Sequence, residues 1–177
     1  MPLIRPSRDE DVVAITRIYA HHVLNGTGTF ETTPPTEADM AQRRADVLGK
    51  NLPWLVLEDD DGRVIGYAYG NWFKPRPAYR FSVEDSIYLA PEAAGRGLGR
   101  LLLAELVAVL ERSGIRKVMA VIGDSDNAGS VGVHRALGFE HMGKIAGVGF
   151  KHGRWVDVVI MQKRLGDGMD SLPPQGR

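Results

Sequence analysis

A glycine-rich segment between a strand pattern and a helix pattern is the feature that most constrains the fold of this chain. Residues 94–100 read Ala-Gly-Arg-Gly-Leu-Gly-Arg, follow the strand pattern of residues 81–89 and open a leucine-rich helix pattern that stops at Gly114. A second strand pattern covers residues 117–122. This order predicts a parallel strand pair, because parallel neighbours need a crossover connection of about this length.

The same segment has the composition of a phosphate-binding loop. Backbone N–H groups at a helix start are unpaired and carry partial positive charge, and glycines let a phosphate approach closely. Arg96 and Arg100 could add charge-assisted hydrogen bonds. No Lys-Ser or Lys-Thr closes the loop, and Arg100 stands where a dinucleotide-binding loop has its last glycine. A glycine-rich turn that only opens a helix is the simpler alternative.

Length and composition indicate one globular domain. The chain has 177 residues, of which 44% are hydrophobic and 25% charged, which is ordinary for a globular protein with a substantial core. Residues 1–165 carry the strand and helix patterns and are predicted to form a single domain. Residues 166–177 hold Gly, Pro and Ser with little to bury, so we expect a flexible C-terminal tail.

Charge and cysteine content exclude several functional classes. Lys+Arg and Asp+Glu both number 22, so the basic excess of a nucleic-acid binder is absent. The absence of cysteine excludes disulfides, cysteine-ligated zinc and a cysteine nucleophile, and the histidines show no metal-binding spacing. The most apolar run, residues 101–110, is too short to span a bilayer and is interrupted by Glu105. Because the N-terminus also lacks the apolar core of a signal peptide, we expect a cytoplasmic protein without a membrane segment.

The remaining patterns predict an α+β fold. Ser7 and Glu10 have the spacing of a capping box before a helix that runs to about Leu24. Thr36 is the predicted N-cap of a second helix that ends at Gly49. The predicted strands cover 3–6, 54–58, 64–72, 81–89, 117–122, 139–148 and 155–163, with a hairpin turn at 61–62 and further helices that open at 95–99 and at 126.

These residues resemble the GNAT acetyltransferase superfamily and, within it, the phosphinothricin/methionine sulfoximine N-acetyltransferases. In that superfamily the glycine loop binds the pyrophosphate of acetyl-CoA, and Gln or Arg usually stands where this chain has Ala94, so one side-chain contact is lost here. The resemblance extends over residues 3–165. Its motifs, in order, are GTFET at 28–32, VEDSIYL at 83–89, Asn127 with Ser130, HRALGF at 134–139 and GFKHGRW at 149–155.

The resemblance implies a fold, a cosubstrate and a reaction. The expected GNAT fold has a mixed sheet of about seven strands, an antiparallel meander followed by a parallel pair that splays at the cofactor site, and about four flanking helices. The expected reaction is direct attack of a primary amine on the thioester of acetyl-CoA, with no metal. The implied acceptors are methionine sulfoximine, methionine sulfone or phosphinothricin, and the implied assembly is a homodimer with a role in detoxification.

Glu84 is the candidate general base. A primary amine is mostly protonated at neutral pH, so a nearby group must take a proton before the amine attacks, and the resemblance gives this role to Glu84. Strand alternation places Glu84 with Ser86 on one face and Val83 with Asp85 on the other. A solvated strand face or a structural ion pair is the alternative, and Asp85 competes for the role if a bulge swaps the faces.

His134 is the second catalytic candidate. Many superfamily members have a tyrosine at this position that protonates the departing thiolate, and the phosphinothricin-type family has histidine there. An imidazole titrates near neutral pH and could act as an acid or as part of a water relay. The alternative is a helix histidine that packs under the next strand.

One strand and one helix start are expected to complete the cofactor site. The resemblance implies that backbone N–H groups near Ile87 and Leu89 stabilise the oxyanion and hold the pantetheine arm, and that Asn127 and Ser130 hold the same arm. Helix capping is an alternative or additional role for Asn127. The full set of expected cofactor-binding residues is Ile87, Tyr88, Leu89, Gly95, Arg96, Gly97, Leu98, Gly99, Arg100, Asn127 and Ser130.

Phe30 and Arg80 are the candidate acceptor-binding residues. Phe30 lies in a Gly/Thr/Pro loop and either covers an aliphatic side chain of the acceptor or anchors the core. Arg80 stands four residues before Glu84, hence on the same face if the strand extends that far, and could bind a carboxylate or sulfoxide oxygen. Methionine sulfoximine acetyltransferases have arginine here, unlike the herbicide-resistance members, which favours oxidised methionine analogues. A surface arginine is the alternative.

Other functions compete with this interpretation. A non-catalytic acyl-CoA-binding sensor would keep the glycine loop without a need for Glu84. An acetylase of another small amine or of a peptide N-terminus would use the same chemistry, but a peptide needs an open groove, whereas the loop around Phe30 predicts a closed pocket.

Overall fold

The fold is built on a seven-stranded mixed sheet, seen in a computed structural model that describes residues 2–173. Its strands run along the sheet in the order β1-β2-β3-β4-β5-β7-β6. The order matches an antiparallel meander followed by one parallel pair, as predicted. The strands are β1 (Leu3–Pro6), β2 (Trp54–Glu58), β3 (Val64–Trp72), β4 (Ser82–Leu89), β5 (Lys117–Gly123), β6 (Glu140–Lys151) and β7 (Arg154–Arg164).

Four α-helices cover the two faces of the sheet in the described residues. The helices are α1 (Val12–Asn25), α2 (Glu37–Gly49), α3 (Leu98–Arg112) and α4 (Ala128–Ala136). The first two pack against each other and against the strands β2 to β4, while α3 and α4 pack against each other on the opposite face. The predicted α+β class and element order are confirmed. None of the helices in the described part of the chain is long and apolar enough to cross a membrane.

The parallel pair, β4 and β5, is joined over a short distance. Its residue pairs are Ser82 with Lys117, Val83 with Val118 and Glu84 with Met119. Beyond Glu84 the two strands separate, although β4 stays paired with β3 as far as Leu89. The expected splay is therefore present, and it opens a gap in the sheet directly after Glu84.

The core lies on both faces of the sheet. On the α1–α2 face, Trp54 stacks on Tyr69 with a ring distance of 4.0 Å and is fully buried with Tyr67. On the other face, the predicted apolar stripe of α3 is buried against β3. Gly70 allows this close packing, because a Cβ there would stand 3.0 Å from Leu110. The two layers hold the splayed strands between them.

The start of α1 differs from the prediction. The capping box of Ser7 with Glu10 is not formed; instead the Arg8 N–H donates to Asp11 Oδ2 at 2.7 Å, and a short 3-10 turn over residues 9–11 precedes the helix. The reason is that Arg5 fixes the Asp11 carboxylate with two hydrogen bonds of 2.7 and 2.8 Å. Only this half of a capping box is present, because the Arg8 guanidinium cannot accept a hydrogen bond in return.

Other predicted boundaries are confirmed. Thr36 caps α2, where its hydroxyl accepts a hydrogen bond from the Asp39 N–H at 3.1 Å. The turn between β2 and β3 contains Gly62 with a φ of +75°, as the Asp61-Gly62 signal predicts. These features depend only on neighbours in the sequence.

The C-terminal segment contains turns that contact the domain. The Gly166 N–H donates to Glu111 Oε1 at 2.8 Å, and Arg164 pairs with Asp170. Residues 174–177 lie outside the described residues. The predicted flexibility of residues 166–177 therefore stays a prediction.

Candidate active site

A cavity of about 660 Å³ passes through the gap between β4 and β5. On the α1 side its wall includes Tyr19 and Tyr69, and on the α4 side Val133. The predicted site residues all line this cavity except Arg80 and Arg96. Those that line it are Phe30, Glu84, Ile87, Tyr88, Leu89, Gly95, Gly97, Leu98, Gly99, Arg100, Asn127, Ser130 and His134.

The glycine loop has the backbone geometry of a helix start that is open to a ligand. Gly95 and Gly97 have φ values of +73° and +76°, and nothing lies within 4 Å of a Cβ built on either residue. Conformation, not crowding, therefore requires glycine at both positions, since a left-handed backbone costs other residues about 1–2 kcal/mol. Gly97 is the N-cap of α3, so the free N–H groups of the first turn face the cavity end of the helix.

The two arginines of the loop differ in position. Arg100 lies in the first turn of α3 and lines the cavity. Arg96 is exposed and is not part of the cavity wall. Arg100 is thus the arginine of the loop that borders the cavity at the start of α3.

Glu84 is the last residue of β4 that is paired on both sides. It pairs with Asn71 of β3 and Met119 of β5, and its partly buried side chain lines the cavity. Burial, followed by the negative charge of Asp85, raises the pKa of Glu84 to about 7, although Lys74 opposes the shift. A carboxylate with this pKa is matched to proton transfer at neutral pH.

The two faces of β4 are not swapped. The pairing of β3 with β4 has no register shift from Val83 to Leu89, so Glu84 and Asp85 point to opposite sides of the sheet. Asp85 is 7% exposed and hydrogen-bonded to His134. This engagement leaves Glu84 as the better placed base.

His134 is buried between α4 and β4. Its Nε2 lies 2.8 Å from Asp85 Oδ2, its Nδ1 lies 2.7 Å from the Ser130 carbonyl oxygen, and its ring meets Phe139 edge-on. Burial disfavours the charged imidazole, but the hydrogen bond and charge of Asp85 outweigh this, so the pKa of His134 is raised. His134 therefore packs inside the fold, as one interpretation of the sequence has it, and also borders the cavity.

Asn127 is the N-cap of α4. Its side-chain oxygen accepts a hydrogen bond from the Ser130 N–H at 3.2 Å at the start of α4. Both residues also line the cavity. Capping and a contact with a cosubstrate are thus compatible.

The loop that carries Phe30 is fixed to the rest of the molecule on both sides of that residue. Thr29 is hydrogen-bonded to the Tyr19 hydroxyl at 2.8 Å, and its carbonyl oxygen accepts from the buried Lys151 ammonium, also at 2.8 Å. Burial lowers the pKa of Lys151, while Glu31 opposes this. Phe30 itself is 39% exposed and borders the cavity, so it covers the site and does not anchor the core.

Arg80 does not lie on the face of Glu84. The strand β4 begins at Ser82, and Arg80 has helical dihedral angles (φ −58°, ψ −17°) at the end of a 3-10 turn that starts at Pro77. Its guanidinium donates to the Pro77 carbonyl at 3.1 Å and lies 4.6 Å from the centre of the Phe81 ring. The proline-rich loop stops the strand before it reaches Arg80, and the predicted acceptor contact of Arg80 stays a prediction.

The cavity wall also includes His22, which the sequence favours, together with His21, only as part of a polar helix face. His22 donates from Nε2 to the Leu89 carbonyl at 2.7 Å and packs on Tyr88, and its pKa is lowered by burial. The signal for it is spacing, because His22 follows Tyr19 by three residues on the stripe of α1 that faces the sheet. Lys151, which is not part of the cavity wall but fixes the carbonyl of Thr29 beside it, has no such spacing signal.

The arrangement supports acyl transfer from a phosphate-containing cosubstrate. It combines a helix start open to phosphate, a strand edge that is free beyond Glu84, and a carboxylate with a pKa of about 7. Within residues 2–173, no group of three or more His, Cys, Asp or Glu side chains is placed to hold a metal ion.

Comparison with known proteins shows close relatives. The family model of the acetyltransferase (GNAT) domain matches residues 4–160. The chain is 50% identical to phosphinothricin N-acetyltransferase of Alcaligenes faecalis over 96% of this chain and 86% of the relative. It is 40% identical to an L-methionine sulfoximine/L-methionine sulfone acetyltransferase of Pseudomonas aeruginosa over 92% of this chain and 94% of the relative.

A solved structure is similar over almost the whole chain. The phosphinothricin acetyltransferase of Sinorhizobium meliloti, solved in complex with acetyl-CoA, superposes with a TM-score of 0.96 at 48% identity. The match covers 99% of this chain and 94% of that one. With the sheet order, the splayed pair and the family match all in agreement, this chain belongs to the GNAT acetyltransferase family.

Proposed function

We propose that this protein transfers the acetyl group of acetyl-CoA to the primary amine of a small amino-acid-like acceptor. The observation that carries the proposal is the place of Glu84, a carboxylate with a pKa of about 7 at the point where β4 and β5 separate. Relatives named as phosphinothricin and methionine sulfoximine/sulfone acetyltransferases support an acceptor of that type.

Acetyl-CoA would lie along the gap, with its pyrophosphate at the start of α3. The free N–H groups after Gly97 and the Arg100 guanidinium would bind the phosphates. Backbone N–H groups of Ile87 and Leu89, on the β4 edge that is free of β5, would hold the pantetheine arm and stabilise the oxyanion. Asn127 and Ser130 would contact the same arm from α4.

Glu84 would make the amine nucleophilic. It takes a proton from the bound ammonium group, directly or through water, and the free amine attacks the thioester carbonyl. The tetrahedral intermediate then collapses, its C–S bond breaks and the sulfur leaves as a thiolate. His134, which carries a raised pKa, is the group from which the thiolate would regain a proton.

The acceptor would be enclosed beneath the loop of Phe30. The Phe30 ring and the rings of Tyr19 and Tyr69 border the same cavity as Glu84, and the loop is tied down by Lys151. Such a wall suits a short aliphatic side chain. It is poorly suited to an extended peptide.

We also infer a cytoplasmic homodimer. The hairpin of β6 and β7 exposes an apolar surface that a second copy of the chain would cover, and a chain without cysteine suits a reducing compartment. Sedimentation of the wild type and of Trp155→Glu, at several concentrations, tests the assembly. The exposed apolar residues, each 50–67% accessible, are Met142, Ile145, Val148, Phe150 and Trp155.

The reaction is tested by free-thiol release from acetyl-CoA in the presence of a panel of amines. The panel contains methionine sulfoximine, methionine sulfone, phosphinothricin, common amino acids, polyamines and a peptide. The protein adds no thiol background, because it has no cysteine. We expect turnover with the sulfoximine, the sulfone or phosphinothricin; robust turnover of the peptide alone would contradict the proposed acceptor class. Acetyl-CoA binding without any turnover would support a sensor instead.

A further inference from the structure

Asp85 and His134 form a buried pair on the face of β4 opposite to Glu84. Their side chains are 1% and 3% exposed, and Nε2 of His134 lies 2.8 Å from Oδ2 of Asp85. The other ring nitrogen, Nδ1, lies 2.7 Å from the Ser130 carbonyl oxygen. A carbonyl oxygen only accepts hydrogen bonds, so Nδ1 carries a hydrogen.

The short contact fixes the number of protons in the pair. If His134 were neutral with its hydrogen on Nδ1 and Asp85 were ionised, two lone pairs would face each other across 2.8 Å. A hydrogen must therefore lie between Nε2 and Oδ2. The pair holds one proton more than a neutral histidine beside an ionised aspartate, whether it is written as imidazolium with carboxylate or as imidazole with carboxylic acid.

Apart from His134, no group in the described residues is placed to offset the negative charge of the Asp85 carboxylate. Its second oxygen, Oδ1, is buried and has no hydrogen-bond partner among residues 2–173. Around the His134 ring, α4 contributes the Ser130 carbonyl and the segment before β6 contributes the Phe139 ring. The neighbouring charge on β4 is Glu84, which is also acidic. His134 is thus the described group that offsets the charge of Asp85.

We propose that Asp85 is a positioning residue that keeps a proton on His134 at neutral pH, and that this proton reaches the sulfur of coenzyme A when the acyl group leaves, through the hydroxyl of Ser130, which lies 3.5 Å from Nδ1 of His134 and borders the cavity. The proposal rests on the proposed function. It goes beyond the role expected for His134 alone, because it assigns to Asp85 the protonation state of the acid. The raised pKa of His134 agrees with the geometry, since Asp85 overcomes the opposing effect of burial.

The protons balance in this scheme. The ammonium group of the acceptor loses two protons in becoming an amide nitrogen: the first goes to Glu84 before attack and from there to solvent, and the second goes to solvent as the intermediate collapses. The new bond joins nitrogen to the acyl carbon, the C–S bond breaks, and its electron pair goes to sulfur, which receives one proton from His134 through the Ser130 hydroxyl. The pair regains a proton from solvent, so one proton is released in each turnover.

Asp85→Asn tests the proposal without a change of shape. An asparagine amide can donate to Nε2, which satisfies the neutral imidazole and removes the need for the extra proton. The direct readout is the NMR titration of the His134 imidazole, identified by its absence in His134→Gln. We expect the wild-type ring to stay protonated above its ordinary pKa of about 6.5, and the ring in Asp85→Asn to lose its proton at or below that pH.

The dependence of kcat on pH distinguishes the loss of the His134 proton from a general structural effect of the substitution. We expect kcat of Asp85→Asn to fall at least tenfold at pH 8 and to approach the wild-type value as the pH is lowered, with unchanged acetyl-CoA affinity. Asp126→Asn, an exposed aspartate near the start of α4, is the matched control and should leave the profile unchanged. A wild-type His134 that is neutral at pH 7 would overturn the proposal. This test needs neither a folded Asp85→Asn variant nor turnover of any acceptor.

Discussion

The ring of Phe30 occupies the space that a side chain at Gly149 would fill. A Cβ built on Gly149 would stand 2.0 Å from Cε1 and 2.3 Å from Cδ1 of that ring. Gly149 lies where the register of β6 against β7 shifts. The acceptor loop is therefore positioned by a strand at the far end of the chain.

Gly149→Ala should displace Phe30 and weaken acceptor binding. We expect the acceptor KM to rise about tenfold, which corresponds to about 1.4 kcal/mol, with a stability loss of about 1–3 kcal/mol from overpacking. Acetyl-CoA affinity, measured by calorimetry, should not change. Gly49→Ala, where nothing lies within 4 Å of the new methyl group, is the control; equal effects from the two variants would contradict the role of this contact.

Glu84→Gln should remove the base and leave the fold intact. We expect kcat to fall by about 10²–10⁴-fold, the usual contribution of general-base catalysis. Glu84 must be ionised to accept a proton and its pKa is about 7, so the wild-type rate should rise as the pH increases through that value. This rise of the rate with pH should be absent in Glu84→Gln.

The measurement is kcat against pH, with Glu140→Gln, an exposed residue at the start of β6, as the control. A rate that does not depend on pH around 7 in the wild type would mean that another group takes the proton. Unchanged turnover in Glu84→Gln would remove this residue from the mechanism.

Arg100→Ala should weaken acetyl-CoA binding more than Arg96→Ala. Arg100 lines the cavity and Arg96 does not, and a hydrogen bond to a charged group contributes about 1.5–3 kcal/mol. We therefore expect the Kd for acetyl-CoA to rise about tenfold or more for Arg100→Ala. With acetyl-pantetheine, which lacks the pyrophosphate, the two variants should behave alike; a persistent difference would place Arg100 elsewhere than at the phosphates.

Tyr67→Phe should not destabilise the protein, in contrast to Tyr19→Phe. The Tyr67 hydroxyl is buried without a hydrogen-bond partner among the described residues, so its removal relieves a desolvation penalty. The Tyr19 hydroxyl is bonded to Thr29 and Glu31, and its loss should cost about 0.5–1.5 kcal/mol. Urea unfolding of the two variants measures the difference, and a larger loss for Tyr67→Phe would contradict the assignment.

Local patterns predicted most of the fold. Thr36 caps α2 and the Asp61-Gly62 turn joins β2 to β3 because each depends on residues within a few positions along the chain. The glycine loop was predictable for the same reason. The capping box of Ser7 with Glu10 is not formed because Arg5 holds the Asp11 carboxylate at the Arg8 N–H, and because the remote Arg44 donates a hydrogen bond to the Ser7 hydroxyl.

The parts of the site that sequence did not predict are contacts between remote segments. The bond of His22 to the Leu89 carbonyl and that of Lys151 to the Thr29 carbonyl join residues with no common pattern. The condition for Arg80 to share a face with Glu84 is not met, because the segment before Ser82 forms a 3-10 turn and not an extension of β4. Packing between remote segments determines each of these positions, and the spacing of residues along one helix or strand does not predict it.

The short pairing of β4 with β5 is a weak connection between two parts of the sheet. Among the described residues, the strands β1 to β4 are paired with the strands β5 to β7 only from Ser82 to Glu84, next to the hydrogen bonds that the Phe81 carbonyl accepts from Arg116 and Lys117. A cosubstrate that lies along the gap would accept hydrogen bonds from backbone amides of β4 that have no partner on β5. It would therefore connect the two parts of the sheet for as long as it is bound. The Ile87 and Leu89 amides, which face the gap, should then exchange hydrogen slowly only while the cosubstrate is bound, so that ligand occupancy can be followed by hydrogen exchange at these two residues.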